Sequence, residues 1–362
     1  MTKTKKRHII NKKNKSRKVK PIKIKTKFEM GNIRVLKIRQ KEKLVELSIN
    51  PGPMERKNKK YGHDYWFYFK AENVKKNTTF TIKKLTSISD EWYKYNVCYS
   101  YDNKNWKRFP TKSSKSGSQI SWKINPKKST IWFAYYPPYP FSKSKKLFKG
   151  MKTLGYSKKR RPILMKKLGS GSKIVWVISG QHPGETIHSW ILEGFIKRLM
   201  ERKSLMFKKY TFYIVPNLNP DGNIDGNWRY NSQGVNLNRD WIDGYSNEVK
   251  SLKKKMNHLG YDLVFDLHGD ENCKKHFLVS SLNHKHYLHD KINKGLNKKN
   301  KNFQINNFYS EKMMSGVKDT LDDFSRGITI EGSMKHPIYN HKTLQEEPMK
   351  IGKDLVDILA DI

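Results

Sequence analysis

The chain has 362 residues, a length that fits two domains better than one or three. Its 75 Lys and Arg against 32 Asp and Glu give a formal net charge of +43, which favours anionic partners and says nothing about fold. Only two cysteines are present, Cys98 and Cys273, with no Cys-x-x-Cys spacing. That excludes a disulfide framework and fits a reducing compartment.

Residues 1–28 precede the first acidic residue, Glu29, and contain almost no large apolar cluster. Such a segment cannot bury enough surface to offset its ordering entropy, so it reads as a basic disordered arm. It lacks the apolar core of a secretory signal, and no run in the chain approaches the ~20 apolar residues of a membrane helix. The expectation is a soluble cytoplasmic protein, with the basic clusters around Lys5-Lys6-Arg7 and Lys18 allowing a nuclear signal, a nonspecific polyanion contact or a merely solvated tail. The excess of Lys, Asn and Ile is also what an AT-rich genome gives.

From 29 to 142 short alternating apolar runs recur between turn signals: Ile33-Val35-Leu36, Leu44-Val45-Leu47, Tyr65–Phe69, Phe80-Ile82, Val97-Tyr99, Ile120-Trp122 and Ile131-Trp132-Phe133. Asp102-Asn103-Lys104-Asn105 reads as a hairpin turn. This punctuation predicts an antiparallel β-sandwich whose aromatics form its core. The stiff run Tyr135–Phe141 suits a domain junction.

From 143 to 362 strands alternate with helices: strand 173–179, helix 186–201, strand 211–215, helix 246–259, strand 263–267, helix 313–325, strand 328–330 and a last helix from about 344. The alternation predicts an α/β domain with a mixed sheet and flanking helices. The polar residues that could carry chemistry are expected just past strand ends, where open α/β sheets bind ligands.

Four stretches hold them. In Gln181-His182-Pro183-Gly184-Glu185-Thr186 an imidazole and a carboxylate flank a tight turn and can face one point, as zinc requires of its nitrogen and oxygen ligands. A His-x-x-Glu pair alone is also a frequent surface coincidence. Asp266-Leu267-His268-Gly269-Asp270-Glu271 ends a hydrophobic strand with a histidine, either a third ligand or a loop cap. The loop from Asn217-Leu218-Asn219-Pro220-Asp221-Gly222 to Asn238-Arg239-Asp240 offers Arg229 and Arg239. A guanidinium binds a carboxylate in a two-pronged fork, though Asp240 or Asp243 could occupy it structurally. Finally Thr329-Ile330-Glu331-Gly332 places a glutamate at the end of a β run, where beside zinc it could take a proton from water.

Together, in this order, the four stretches resemble the M14 zinc carboxypeptidases, most of all the cytosolic carboxypeptidase branch and its bacterial-type members. That branch is known by His-Pro-Gly-Glu-Thr, Asn-Pro-Asp-Gly, Leu-Asn-Arg, a strand ending in Asp-x-His-Gly, a late Glu and an N-terminal β-sandwich. The resemblance implies one Zn2+ per chain held by His182, Glu185 and His268. It implies that Asn238 and Arg239 grip the substrate's terminal carboxylate, Arg229 stabilises the oxyanion, and Glu331 serves as general base and then acid. Tyr309 is the candidate for the family's mobile tyrosine. The stretch between His268 and Glu331 is short and lysine-rich, so the specificity pocket is expected to be reshaped, with Lys318 as its candidate cation. The implied partners are peptide or protein C-terminal tails, and the net charge and the branch's habit point to acidic, glutamate-rich ones. Two other readings stand beside this one. An N-acyl amino acid hydrolase of the aspartoacylase type shares a His-x-x-Glu and a later His. A catalytically dead, polyanion-binding relative would use the same charge without chemistry.

Overall fold

The computed structural model describes residues 20–56, 64–85, 92–279, 287–305, 327–335 and 343–362. Tyr309, Lys318 and the expected helix 313–325 lie outside these residues, as do residues 1–19. Residues 20–28, read from sequence as part of the arm, are structured: β1 (Lys23–Lys25) pairs antiparallel with β4 (Tyr68–Glu72). Ile22 is buried, so even this lysine-rich stretch places an apolar side chain inside.

Two five-stranded sheets form the N-terminal sandwich. One runs β1–β4–β10–β6–β7, using β6 (Val97–Ser100), β7 (Lys107–Phe109) and β10 (Ile131–Ala134). The other runs β2–β3–β5–β9–β8, from β2 (Arg34–Arg39), β3 (Leu44–Ser48), β5 (Thr78–Lys83), β8 (Lys112–Ser113) and β9 (Gln119–Ile124). The pairing is antiparallel except for β3 with β5, a departure from the all-antiparallel expectation. Period-2 alternation is clearest in β9, where Ile120, Trp122 and Ile124 are buried between more exposed neighbours, whereas the edge strand β2 buries none of its residues. Phe69, Phe80, Trp122 and Phe133 meet between the sheets, with Phe80 stacked on Trp122 at 5.6 Å. The hairpin between β6 and β7 turns at 102–105, where Asp102 Oδ1 accepts from Lys104 N (2.9 Å) and Asn105 N (2.8 Å).

The junction run is buried rather than merely extended. Tyr135, Tyr136 and Tyr139 are wholly inside. Pro137 O accepts from Thr186 Oγ1 (2.9 Å) and Trp190 Nε1 (3.0 Å). Arg108, a sandwich residue, donates to Met334 O just after the strand that carries Glu331. The sandwich is thereby tied to the same loops that build the site.

A seven-stranded mixed sheet follows, in the order β11–β12–β14–β13–β15–β17–β16. Its centre is β14 (Tyr210–Val215), β13 (Lys173–Ser179), β15 (Leu263–Asp270) and β17 (Gly327–Ser333), all parallel. These strands are buried on both faces and mostly apolar, as a sheet covered on both sides requires. β11 (Lys152–Tyr156), β12 (Pro162–Leu168) and β16 (Phe277–Val279) pair antiparallel at the edges. Helix α1 (Phe141–Ser144) enters the domain. On one face α2 (Ile187–Glu201) packs with the C-terminal helix α7 (Glu346–Asp361), which also touches α6 (Tyr287–Lys299). On the other lies α5 (Asn247–Leu259), whose Val249, Leu252 and Met256 pack with Trp176, Ile178 and Tyr213. Among the described residues no helix is long and apolar enough to cross a membrane. The chain leaves β13 on one side to reach β14 and later returns on the other to form β15. Loops part between β13 and β15, the place where open α/β sheets hold ligands.

Candidate metal centre

The turn after β13 carries His182 and Glu185, and β15 carries His268. All three side chains are buried, and one ligand atom from each lies within 4.8 Å of the others. Gly184 makes this turn possible: a Cβ there would meet Trp228 Cε3 at 2.5 Å, and its N–H donates to Trp228 O (2.9 Å). The same contact fixes the backbone next to Arg229.

His182 Nδ1 lies 2.7 Å from Glu185 Oε1, and His268 Nδ1 lies 2.9 Å from Glu185 Oε2. The outer nitrogens face acceptors: His182 Nε2 meets Asn236 Oδ1 (2.9 Å) and His268 Nε2 meets Asp266 Oδ2 (3.0 Å). With protons on both outer nitrogens, the two Nδ1 lone pairs point at one carboxylate, and a shared cation relieves that crowding of acceptors. Two imidazoles, one carboxylate and acceptors orienting the rings form the donor set and outer shell of a catalytic zinc site. The residues therefore fit the metal. Asn236, Asp266 and Gln181 are support that the sequence reading passed over. Gln181 Nε2 donates to Asp266 Oδ2 (2.5 Å), while Gln181 Oε1 accepts from Trp241 Nε1 (2.9 Å). The signal was within the motifs: Asp266 stands two residues before His268, on the same strand face.

Electrostatics follow from burial and charge crowding. Burial, together with Arg229 and His268, pushes His182 down to about 4 against the pull of Glu185. Burial also depresses His268, but Asp266 and Glu185 overcome it and hold it well above the usual range. Burial raises Glu185, and the two histidines outweigh it and hold it well below the carboxylate range. His188 is a third histidine here but no ligand: Ser179 and Ser189 hydroxyls hold its Nδ1 at 2.8 Å each, and burial pushes it down to about 3.

Glu331 lies directly across from His268 in the parallel β15–β17 register. Its Oε2 is buried with no hydrogen-bond partner among the described residues. Burial drives it well above the carboxylate range, His268 opposes, and Glu185, Asp270 and Glu271 add to the rise. Glu271, beside it, is raised to about 8 by burial and by Asp270 and Glu185. Both His268 and Glu331 lie inside strands rather than past their ends, because backbone pairing continues to Asp270 and Ser333.

Arg229 is half-buried, and its charge acts on both His182 and Glu271. Arg239 and Asn238 follow Asn236 in a 3-10 turn (Leu237–Arg239); Asn236 Oδ1 caps it at Asn238 N (3.1 Å) while also holding His182. Asp240 is not the partner sequence offered to Arg239 in the observed bonds; its carboxylate accepts from Tyr245 N (2.8 Å), Ser246 N (2.7 Å) and Ser246 Oγ (2.6 Å). The Asn-Pro-Asp-Gly segment is scaffold. Asn219 caps α4 (Pro220–Asp225), and Asp221 binds Ser157 Oγ, Ser232 Oγ and Arg161.

Comparison with known proteins gives the same outline. The family model described as the cytosolic carboxypeptidase N-terminal domain matches residues 24–136, and that of zinc carboxypeptidase matches 143–260. The second match contains His182, Glu185, Arg229, Asn238 and Arg239 but ends before His268 and Glu331. An uncharacterized protein of Zymomonas mobilis is 32% identical over 59% of this chain and 60% of its own length. Cytosolic carboxypeptidase 1 of Xenopus laevis is 26% identical over 71% of this chain, which spans only 26% of that protein. A metallo-carboxypeptidase from Pseudomonas aeruginosa, solved in complex with (2-guanidinoethylmercapto)succinic acid, superposes with a TM-score of 0.82 at 27% identity, covering 94% of this chain and 98% of that one.

Proposed function

Because the chain belongs to the M14 zinc carboxypeptidases, in the cytosolic carboxypeptidase branch, we propose that it is a zinc-dependent peptide hydrolase that removes C-terminal residues. The observation that carries this reading is the convergence of His182, Glu185 and His268, with Glu331 across the sheet from His268. Zinc bound by the three would supply Lewis acidity toward the scissile carbonyl and the attacking water. Glu331 takes the proton of that water and then delivers it to the leaving amine. A positive charge beside Glu331 would offset the carboxylate repulsion that raises it. Arg229 stabilises the oxyanion, a charge that grows only in the transition state. Asn238 and Arg239 hold the substrate's terminal carboxylate. The Pseudomonas relative's ligand is a dicarboxylate bearing a guanidine, and a carboxylate is what it shares with a peptide C-terminus.

The finer reading is a preference for acidic tails, supported by the net charge of +43, which steers anions toward the protein. Peptides ending in Glu, Leu and Lys, assayed at low and high salt with and without a chelator, test both levels. Chelator-sensitive release of single C-terminal residues is the expected result. Release from an N-acyl amino acid but from no peptide would favour the aspartoacylase-type reaction. No stoichiometric zinc and no hydrolysis would leave a polyanion-binding protein. Equal cleavage of the three peptides at every salt would end the acidic preference alone.

A further inference from the structure

The sandwich sends one loop into the catalytic half. Arg56 N donates to Gly234 O (2.9 Å), on the loop that leads to Asn236 and Arg239. Gly234 has φ +72°, and a Cβ there would lie 2.0 Å from Met54 O, so the two backbones press together at this point. Between them is a small cleft lined by Glu55, Arg56, Asn236, Arg239, Asp243 and Tyr245. It reaches the outer side of His182, since Asn236 also holds His182 Nε2 at 2.9 Å.

Arg56 is seated in this cleft by a ring rather than an anion. Its guanidinium carbon lies 3.3 Å from the centroid of Tyr245. A guanidinium stacked by its face keeps its N–H edges free for a planar carboxylate. Among the described residues the Arg56 guanidinium makes no hydrogen bond. Asp240, a third carboxylate on the cleft wall, already accepts from Tyr245 N, Ser246 N and Ser246 Oγ. Glu55 and Asp243 also line the cleft, and each is engaged in interactions of its own. Two guanidinium groups, Arg56 and Arg239, thus line one small cleft beside the metal ligands.

We infer that Arg56 is a specificity residue: while Arg239 holds the substrate's α-carboxylate, Arg56 receives the side-chain carboxylate of an acidic C-terminal residue. The inference rests on the carboxypeptidase reading and deepens it, because it makes the sandwich part of the substrate site. It also supplies a cation for the acidic side chain among the described residues.

The test uses the full zinc-loaded chain and two peptides identical except for a C-terminal Glu or its uncharged isostere Gln. The wild type is expected to favour Glu at least about tenfold in kcat/KM, the scale of a charge-assisted hydrogen bond. Arg56→Ala should lower kcat/KM for the Glu peptide by about tenfold to a hundredfold and leave the Gln peptide within about twofold. Arg56→Lys, which keeps charge and stem but loses the fork, should fall between. An equal fall for both peptides would make Arg56 a domain clamp only and overturn the inference. So would a Glu-to-Gln ratio that Arg56→Ala leaves unchanged. If the wild type hydrolyses neither peptide, the carboxypeptidase reading fails by itself. Calorimetric binding of N-acetylglutamate against N-acetylglutamine then decides on Arg56, with equal affinities in wild type and Arg56→Ala overturning its role.

Discussion

His268 and Glu331 stand opposite each other in the parallel register of β15 and β17, so the proposed metal ligand and the proposed base project from one sheet face on adjacent strands. The backbone ladder sets their spacing, and Oε2 of Glu331 is left without a partner among the described residues in a buried position. A buried, unbonded carboxylate oxygen costs stability unless function retains it.

Glu331→Gln keeps the shape of that side chain and removes its proton affinity. We expect zinc content unchanged and turnover lowered by at least about the 10²–10⁴-fold typical of losing a general acid–base. Substrate binding should persist, because the terminal carboxylate is assigned in the proposed mechanism to Asn238 and Arg239. Near-normal turnover in this variant would move the base elsewhere, to Glu271 or Asp270.

Zinc retention should grade with distance from the ion. His182→Ala and His268→Ala each remove one of the three proposed ligands and should strip the metal. Asp266→Asn removes only the carboxylate that orients His268 through Nε2, and should weaken zinc binding about 10–100-fold. Metal analysis after dialysis against a graded chelator series would read this. Loss in Asp266→Asn as complete as in His268→Ala would refute the division into ligand and support.

The three residues that converge, His182, Glu185 and His268, were legible in sequence because each motif is local: a strand, a tight turn and a polar residue at its end. The support was legible only in part. Gln181 and Asp266 lie within the motifs, but their joint hold on His268 joins residues 85 apart, which periodicity cannot reveal. Arg56 was silent for the same reason, since its meaning comes from Tyr245 and Arg239, far along the chain. Strand boundaries were read short at His268 and Glu331 because polar side chains look like strand ends, whereas pairing uses the backbone. The parallel β3–β5 pair escaped notice because alternation fixes which face is buried and not which neighbour a strand takes.

Arg229 and Arg239 should separate kinetically. In the proposed roles Arg239 meets a carboxylate present in substrate and transition state alike, so Arg239→Ala should raise KM with a smaller change in kcat. Arg229 meets a charge that grows during reaction. Arg229→Ala should lower kcat by about 10²–10³ with KM little changed. Steady-state kinetics on one good peptide distinguishes them, and the reverse pattern would exchange the two roles.

Glu248 gives a pH prediction independent of the metal. It sits in the first turn of α5, wholly buried; Oε2 accepts from Asn231 Nδ2 at 3.4 Å and Oε1 has no partner among the described residues. Burial, with Asp221 and Asp240 adding, raises its pKa from 4.5 to about 7. An acid whose folded pKa is raised stays protonated in the fold while the unfolded chain ionises, so folding binds the extra proton. Its stabilising share is therefore complete below about pH 4.5, falls as pH rises, and is lost once pH passes about 7. The penalty then saturates on the order of 3 kcal/mol, at 1.36 kcal/mol per unit. Glu248→Gln has no such term. The difference in unfolding free energy between the variant and the wild type should thus grow in the variant's favour from pH 4.5 to 7 and then level off. Denaturant titrations of both proteins at each pH, with zinc held constant, cancel the pH dependence of metal binding. A difference that stays flat across that window would show that Glu248 is ionised in the fold, its charge met by the helix N-terminus rather than expelled.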